Sequence, residues 1–185
     1  NYHYPQSSNA SAGQKGESIA TISPTINYGK GSSANGGGGG VGHNSGGGGG
    51  SNSGSGGLGG YQLDNCGSSP FDNRGIGGRP LVNSEALNKV FLGGGGGAGQ
   101  ADNPGNTLPD GGNGGGIVII ICDKLKTNNN KIISNGDNAI ACSVPPSSDC
   151  HDGMGGGGAG GSVLLSINQF LDNTATEIKG GKGAD

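Results

Sequence analysis

The side chains best suited to chemistry are few and far apart in this sequence. The three histidines are His3, His43 and His151, and none lies within four residues of another. No CxxC pair occurs, so the spacing gives little support to a structural zinc site. No nucleophile and base stand together in a recognisable catalytic arrangement. We therefore expect a non-enzymatic protein with no catalytic, cofactor-binding or metal-binding residues.

The chain contains an even number of cysteines, namely Cys66, Cys122, Cys142 and Cys150. An even number favours disulfide pairing in an oxidising compartment, and a bond between Cys142 and Cys150 would close a loop of about nine residues. On the chain-entropy model this bond contributes about 2.5 kcal/mol. Cys66 with Cys122 is the residual pairing, and four reduced thiols are the alternative. The polar cluster around His151 fits an exposed loop tip held by the disulfide.

Short motifs for phosphate or calcium binding are incomplete. The Gly-Lys-Gly sequences at residues 29–31 and 181–183 lack the Ser or Thr that follows Lys in a phosphate-binding loop. Segments rich in Asp and Asn occur at residues 102–103, 110–113 and 135–138, but none matches the EF-hand loop or the nonapeptide calcium repeat. Because Asp and Asn are preferred residues of tight turns, we predict turns there, with calcium binding as the alternative.

The overall composition excludes two classes of partner. Charged residues make up 12% of the chain, aromatic residues make up 4%, and the net charge is −3. Such a chain lacks the basic, base-stacking surface of nucleic-acid-binding proteins. The longest apolar run, residues 117–122, is far too short to cross a bilayer. We therefore expect no nucleic-acid partner and no membrane insertion.

Glycine occupies 47 of the 185 positions, with blocks at residues 36–40, 46–50, 93–97 and 155–161. Ordering a glycine costs roughly 0.5–1 kcal/mol more than ordering an alanine, so ordered blocks need compensating interactions. Without Cβ atoms, left-handed threefold helices of glycine pack closely and pair their backbone N–H and C=O groups between segments. We predict packed polyglycine II helices beside a small β core. Flexible Gly/Ser tethers are the alternative, which applies best to residues 51–60.

Short apolar runs rich in β-branched residues separate the glycine blocks. They lie at residues 18–22, 89–92, 116–122, 131–134 and 162–167. Their length and their Gly, Asn or Asp boundaries predict β-strands. The run at residues 117–121 has no polar alternation, so we expect a central strand with both faces covered. Residues 83–89 have room for one helical turn, and the predicted fold class is all-β with little or no α-helix.

An internal repeat appears when the sequence from Gly115 is laid over the sequence from Gly160, an offset of 45 residues. Residues 115–137 and 160–182 each read as glycine block, strand, polar turn, shorter strand and glycine. Residues 1–31 fit a degenerate first copy. Such periodicity predicts stacked units within one glycine-rich domain, residues 1–185. Because the sequence begins at Asn1 without a leader, we expect a mature product or a fragment of a longer protein.

The order of these blocks resembles a known class of protein. The similar segments are residues 89–99 (KVFLGGGGGAG), 110–120 (DGGNGGGIVII), 154–165 (MGGGGAGGSVLL) and 178–183 (IKGGKG). They look like glycine-rich regions of large secreted surface proteins of Bacteroidota, which are associated with gliding motility, adhesion and type IX secretion. The resemblance implies export, an extracellular or cell-surface location and a structural or adhesive role. Looser similarity exists to the glycine-rich extracellular domain of a receptor tyrosine kinase family and to phage tail-tip adhesins with packed polyglycine helices.

These observations predict a non-enzymatic extracellular module whose rigid glycine scaffold displays loops of a surface adhesin or filament. The contact loops are expected at residues 61–75, 102–110 and 142–154. Their candidate contact residues are Tyr61, Asp64, Phe71, Arg74, Asp102, Asp110, Asp149 and His151. Expected partners are a cell-surface glycan or protein receptor, other protein subunits, or domains of the parent chain. Two alternatives stay open: a self-assembling subunit of a surface polymer or sheath, and a secretion-system substrate fragment captured with its partner.

Overall fold

The computed structural model describes residues 12–20, 27–42, 44–62, 72–81, 88–101, 110–140 and 153–184. Within these residues the regular elements are four strands, and no helix is present. The strands are β1 (Ile117–Leu125), β2 (Lys131–Ile133), β3 (Ser162–Phe170) and β4 (Ala175–Glu177). The prediction of an all-β protein with little or no α-helix is confirmed at this level for the described residues.

The four strands form two small parallel sheets. β1 pairs with β3 from Ile117 opposite Ser162 to Leu125 opposite Phe170, so partners lie 45 residues apart in sequence. β2 pairs with β4, where Lys131 lies opposite Ala175 at a separation of 44 residues. Between β1 and β2 the chain turns at two asparagines with left-handed backbone, which is typical of asparagine in turns. The strands β1 and β2 therefore run in the same direction as their partners β3 and β4.

The predicted strands at residues 116–122, 131–134 and 162–167 are confirmed, and two others are wrong. Residues 18–20 and 89–92 form no strand, and residues 21–22 of the run predicted at residues 18–22 lie outside the described residues. β4 was predicted only as the shorter strand of the unit at residues 160–182, without bounds. At residues 89–92 the backbone carbonyls bond to side chains instead of to a neighbouring strand. Phe91 O accepts from Ser162 Oγ at 2.7 Å, and Leu92 O accepts from Asn35 Nδ2 at 3.0 Å.

The expectation that β1 is a central strand covered on both faces is wrong for the described residues. β1 pairs with β3 alone in its sheet. On one face Ile119 is 53% exposed and Ile121 is 73% exposed, while the opposite face is half-buried. The physical reason is that no second layer of described residues packs against this two-stranded sheet. An uninterrupted apolar run normally indicates such a layer, but its sequence does not guarantee one.

The buried interior lies among the glycine blocks and contains almost no large side chains. The buried hydrophobic residues are Ala98, Ala139 and Ala159. The buried polar residues are Asn35, Ser45, Ser51, Gln100 and Ser134. Residues 36–40, 93–97 and 155–158 are buried along their whole length. The core of the described chain is therefore made mainly of backbone.

Backbone hydrogen bonds join the glycine blocks with a period of three residues. Successive amides of residues 46–51 donate to Gly60, Met154 and Gly38, and then to Gly57, Gly157 and Asn35, at 2.8–3.0 Å. The first and fourth of these acceptors lie on one neighbouring segment, the second and fifth on another, and the third and sixth on a third. Residues 93–98 repeat the pattern toward Gly115, Ser51 and Glu17, and then Gly112, Gly48 and Gln14.

We call this arrangement of segments the glycine bundle. Within the described chain it comprises residues 12–20, 27–62, 72–81, 88–101, 110–116, 134–140, 153–161 and 178–184. Its segments run in both directions. Residues 46–50 are parallel to residues 154–157, because both sequence numbers rise along the bonded pairs. They are antiparallel to residues 57–60, where one number rises as the other falls. Each segment bonds to neighbours on several sides, whereas a strand within a sheet bonds on two.

Candidate functional site

Glycine is required inside the bundle because neighbouring backbones lie too close for a side chain. A Cβ atom built on Gly94, Gly96 or Gly97 would approach a backbone carbonyl oxygen more closely than the 3.0 Å that real Cβ atoms keep. The obstructing oxygens are on segments remote in sequence, such as Gly38 O for Gly97. A larger residue at these positions therefore has to push backbone, which is a costly form of overpacking.

A second set of glycines has open space where a Cβ atom would stand. These residues are Gly54, Gly57, Gly60 and Gly116, which have no atom within 4 Å of that position. Their backbone is not left-handed, because Gly29 is the only described glycine with positive φ in that region. The first three recur every third residue along one exposed segment. The bundle therefore has an outer row of glycines that close packing does not require.

Asn35 fastens three segments together from within the bundle. Its side chain is buried, and its amide donates to Leu92 O at 3.0 Å and to Ser51 O at 3.3 Å. Its side-chain oxygen accepts from the amide of Ile19 at 2.9 Å. A buried polar group needs such partners, because an unpaired one costs about 1–3 kcal/mol. Asn35 is thus fully used as a structural crosslink.

Other polar residues at the ends of glycine blocks act in the same way. Gln100 Oε1 accepts from the amide of Asn44 at 2.7 Å. Asn52 donates to the carbonyl oxygens of Gly160 and Gly161 at 3.1 and 2.8 Å. These residues were not predicted from the sequence, although a signal existed, since each stands within three residues of the end of a glycine block. A polar residue at that place bonds the last free backbone groups of the neighbouring segment.

Two predicted contact residues, Tyr61 and Arg74, lie together at the surface. The guanidinium carbon of Arg74 is 3.7 Å from the centroid of the Tyr61 ring, and Tyr61 is 75% exposed. Arg74 also donates to both carboxylate oxygens of Asp72 at 2.9 and 2.7 Å. These hydrogen bonds lower the pKa of Asp72 to about 2. Arg74 is therefore held in place, and it stacks on an exposed aromatic ring.

The other predicted contact residues do not join this group. Asp110 is exposed and lines a separate hollow beside Lys15 and Gly95. Asp64, Phe71, Asp102, Asp149 and His151 lie outside the described residues, as do Cys142 and Cys150 of the predicted disulfide. Cys122, for which pairing with Cys66 was the residual option, is a free cysteine whose thiol donates to Lys124 O at 3.3 Å.

The turns predicted at residues 110–113 and 135–138 are wrong, because both segments are extended and bonded within the bundle. Asn135 Oδ1 accepts from the amide of Lys179, and Asn138 Oδ1 accepts from the amide of Lys182, both at 2.8 Å. The two side chains are three residues apart and accept from two backbone amides that are also three residues apart. They therefore follow the three-residue period of the bundle. Residues 102–103 lie outside the described chain. Among the described residues, no three of His, Cys, Asp and Glu are grouped closely enough to hold a metal ion.

Glu177 joins the two short strands β2 and β4. Its carboxylate accepts from Asn135 at 2.9 Å and from Lys131 at 2.9 Å, and forms an ion pair with Lys179 at 3.1 Å. The pKa of Glu177 falls to about 2, chiefly because of the hydrogen bond from Asn135 and then those from the two lysines. The cluster is structural in character, since each of its donors is bonded to the same carboxylate.

Comparisons with known proteins found no match for this chain. In the part of the chain that the structure describes, no helix is long and apolar enough to cross a membrane. No protein-family model, no curated protein and no solved structure matches the sequence.

Proposed function

We propose that this chain is a non-enzymatic structural and adhesive module, exported to the cell surface, whose packed glycine segments form a rigid scaffold that displays contact loops. One observation carries the proposal, namely the three-residue period of backbone hydrogen bonds between buried glycine segments. The backbone of a flexible tether is solvated and does not form hydrogen bonds to neighbouring segments in a fixed order. A chain that is ordered in this way is suited to holding other residues in place.

The period of three supports the interpretation of these segments as polyglycine II helices. Such a helix has three residues per turn and no internal hydrogen bonds, so its amides point successively toward three different neighbours. Residues 46–51 and residues 93–98 each pass through three neighbours and then return to the first. The exclusion of a Cβ atom at Gly96 and Gly97 agrees with this interpretation, because threefold helices at close range leave no space for side chains.

The stacked strands support an internal repeat. β1 and β3 pair at a sequence separation of 45 residues, which is also the offset at which residues 115–137 align with residues 160–182. β2 and β4 pair at 44 residues, one fewer, so the second unit is shorter by one residue in its turn. We infer that the two units are copies that stack in register, as neighbouring units do in repeat proteins.

Adhesion is proposed through loops at the bundle surface, with a cell-surface glycan or protein receptor as the partner. Tyr61 supports this role because it is exposed, uncharged and stacked against Arg74. An aromatic ring with an ordered cation beside it is suited to polar, flat ligands. The resemblance to secreted surface proteins of Bacteroidota supports the extracellular location.

Adhesion is tested with beads that are coated with the chain. Their retention is measured on a printed glycan array and on intact bacterial cells. Tyr61→Ala and Arg74→Ala are expected to reduce bead retention several-fold, because they remove the stacked pair. Leu58→Ala is the matched control, since Leu58 is exposed on the same segment and is not part of that pair. Retention that is absent for the wild type, or equal for all variants, would contradict adhesion through this loop.

A second function, self-assembly into a surface polymer, is favoured by a different observation. The β1–β3 sheet exposes Ile119, Ile121 and Leu164 on one face, and each strand has one edge without a described partner. Exposed apolar faces and free edges promote association with further strands. Sedimentation velocity over a wide concentration range separates the two functions, because a polymer subunit associates as concentration rises and a monomeric display module does not.

A further inference from the structure

An open groove of about 1170 Å³ runs along the outside of the glycine bundle. We call it the glycine groove, and the described residues that line it come from residues 44–61, 153–161 and 178–184. More than half of the residues that line it are glycine. Lys182 is the one charged residue and Tyr61 the one aromatic residue in this lining. A charged ligand therefore finds a single charged side chain here.

Many residues that line the groove carry backbone groups without partners in the described chain, and part of these groups fall into rows with a spacing of three residues. Such rows of amides belong to Gly54, Gly57 and Gly60, to Met154, Gly157 and Gly160, and to Gly180 and Gly183, while lining amides between them, such as those of Ser55, Leu58 and Gly155, also donate to no carbonyl oxygen of the described chain. The carbonyl oxygens of Gly47 and Gly50 likewise accept no hydrogen bond from the described chain. Within residues 156–161 the amides of Gly156, Gly158, Ala159 and Gly161 are bonded across the bundle, and those of Gly157 and Gly160 are not. In this segment the unused amides thus follow the period of the bundle.

Gly157 shows why these groups are significant. It is a buried residue in the middle of a bonded segment, yet its amide donates to nothing described, while Gly156 and Gly158 donate to Gly97 and Asp137 at 2.9 and 3.0 Å. Because Gly157 lines the open groove, its N–H group is available to a water molecule, a ligand or another chain.

We propose that the glycine groove binds one extended, uncharged, glycine-rich strand of another polypeptide, in the same threefold conformation as the bundle. Carbonyl oxygens at every third residue of that strand would accept from the free amides of the lining. Its own amides would donate to Gly47 and Gly50. Other threefold peptides, such as proline-rich segments, present carbonyl groups with the same repeat, but only glycine allows backbones to approach as closely as they do elsewhere in the bundle.

The dimensions of the groove fit a short strand. Gly54 and Gly60 are six residues apart, which corresponds to about 19 Å at the 3.1 Å rise of a threefold helix. The groove therefore accommodates about seven residues of a bound strand. Residues 36–40 and 93–97 of a second copy are poor sources, because they are buried in its own bundle. The partner is a glycine-rich segment that is free in its own protein.

This inference rests on the packed glycine bundle of the proposed function, and its test keeps the two separable. The probe is a synthetic peptide with the sequence of residues 91–100, which carries no charged side chain, and the control peptide carries Ala in place of each second glycine. Binding to the full chain is measured by titration calorimetry. Amide hydrogen exchange, measured by NMR with and without peptide, reports whether the bundle is ordered before the peptide is added.

Two variants locate the binding. Gly57→Val fills the groove at an open position, so it is expected to weaken peptide binding by about tenfold or more. Gly116→Val is the matched control, because Gly116 is equally open and does not line the groove, and its peptide affinity is expected to equal that of the wild type. Neither variant is expected to lower the melting temperature, since a Cβ atom at either position has no atom within 4 Å.

The expected result is peptide binding that protects the amides of Gly57, Gly60 and Gly157 and is lost in Gly57→Val. Absence of binding, or equal binding by all variants or by the alanine peptide, would overturn the groove proposal while leaving an ordered bundle intact. Protection of these amides in the chain without peptide would show that the chain fills its own groove and would also overturn it. So would a wild-type dimer that Gly57→Val dissociates, because the occupant would then be a second copy.

Discussion

The side-chain amide of Asn35 donates a hydrogen bond to the backbone carbonyl oxygen of Leu92, 57 residues further along the chain, at 3.0 Å. This bond joins the first glycine block to the residue before the third. It also removes Leu92 from strand pairing, because its carbonyl oxygen bonds to a side chain. Asn35 therefore holds segments that are remote in sequence together, which is a role that a buried apolar residue normally has.

Asn35→Ala is expected to destabilise the fold by about 1–3 kcal/mol, because it leaves the Leu92 and Ser51 carbonyls and the Ile19 amide without this partner. The free energy of unfolding from urea titration measures the effect. The control is Asn113→Ala, which removes an exposed side chain and is expected to change stability by less than about 0.5 kcal/mol. Equal effects of the two substitutions would contradict a crosslinking role for Asn35.

Gly→Ala substitutions are expected to have opposite signs at two kinds of position. Gly97→Ala should destabilise by about 1–3 kcal/mol or more, because the new methyl group meets the Gly38 carbonyl oxygen. Gly57→Ala should stabilise by about 0.4–1 kcal/mol, because it restricts the unfolded chain and meets nothing in the folded one. Thermal unfolding of both variants gives the comparison. A stabilising Gly97→Ala would show that the backbones are not packed.

Glu177 is expected to make stability dependent on acid pH. Its pKa in the folded chain is about 2, against an ordinary value of 4.5, so folding favours the ionised carboxylate. The resulting stability is fully present above about pH 4.5 and is lost as the pH falls toward 2. Glu177→Gln should flatten part of this decline in melting temperature. Identical pH profiles for the variant and the wild type would contradict the proposed linkage.

The exposed face of β1 is expected to tolerate charge if the chain is monomeric. Ile121→Lys should change the free energy of unfolding by less than about 0.5 kcal/mol, because Ile121 is 73% exposed. If the chain instead assembles through this face, Ile121→Lys should lower the association seen in sedimentation velocity. Ile120→Lys on the half-buried face is the comparison, and it should destabilise the isolated chain more.

Strand positions were readable from the sequence where apolar β-branched residues are bounded by glycine or asparagine. The runs that became β1, β2 and β3 show this pattern, and they are among the residues of highest β-propensity. β4 was predicted only as the shorter strand of the second repeat unit and could not be placed, because Ala175–Glu177 is three residues long and has no apolar periodicity. The run that ends at Leu92 was wrongly predicted as a strand, because strand propensity is local and the partners of its carbonyl oxygens are residues remote in sequence.

The candidate site was predictable only in part. Tyr61 and Arg74 were chosen as loop residues, but their contact could not be foreseen, because it depends on how two segments of the bundle lie side by side. The glycine groove could not be foreseen for a related reason. Every glycine looks alike in sequence, and only the packing distinguishes Gly57, which is open, from Gly97, which is enclosed.

Amide hydrogen exchange across residues 93–97 and 155–161, resolved by NMR, tests most directly whether the glycine segments are packed. All five amides of residues 93–97 donate to backbone carbonyls, so they should exchange slower than in a peptide by on the order of a thousandfold. Within the second segment Gly156 and Gly158 should be protected, and Gly157, which lacks a described partner, should exchange fast. Uniformly fast exchange through both segments would contradict a packed scaffold and the function proposed from it.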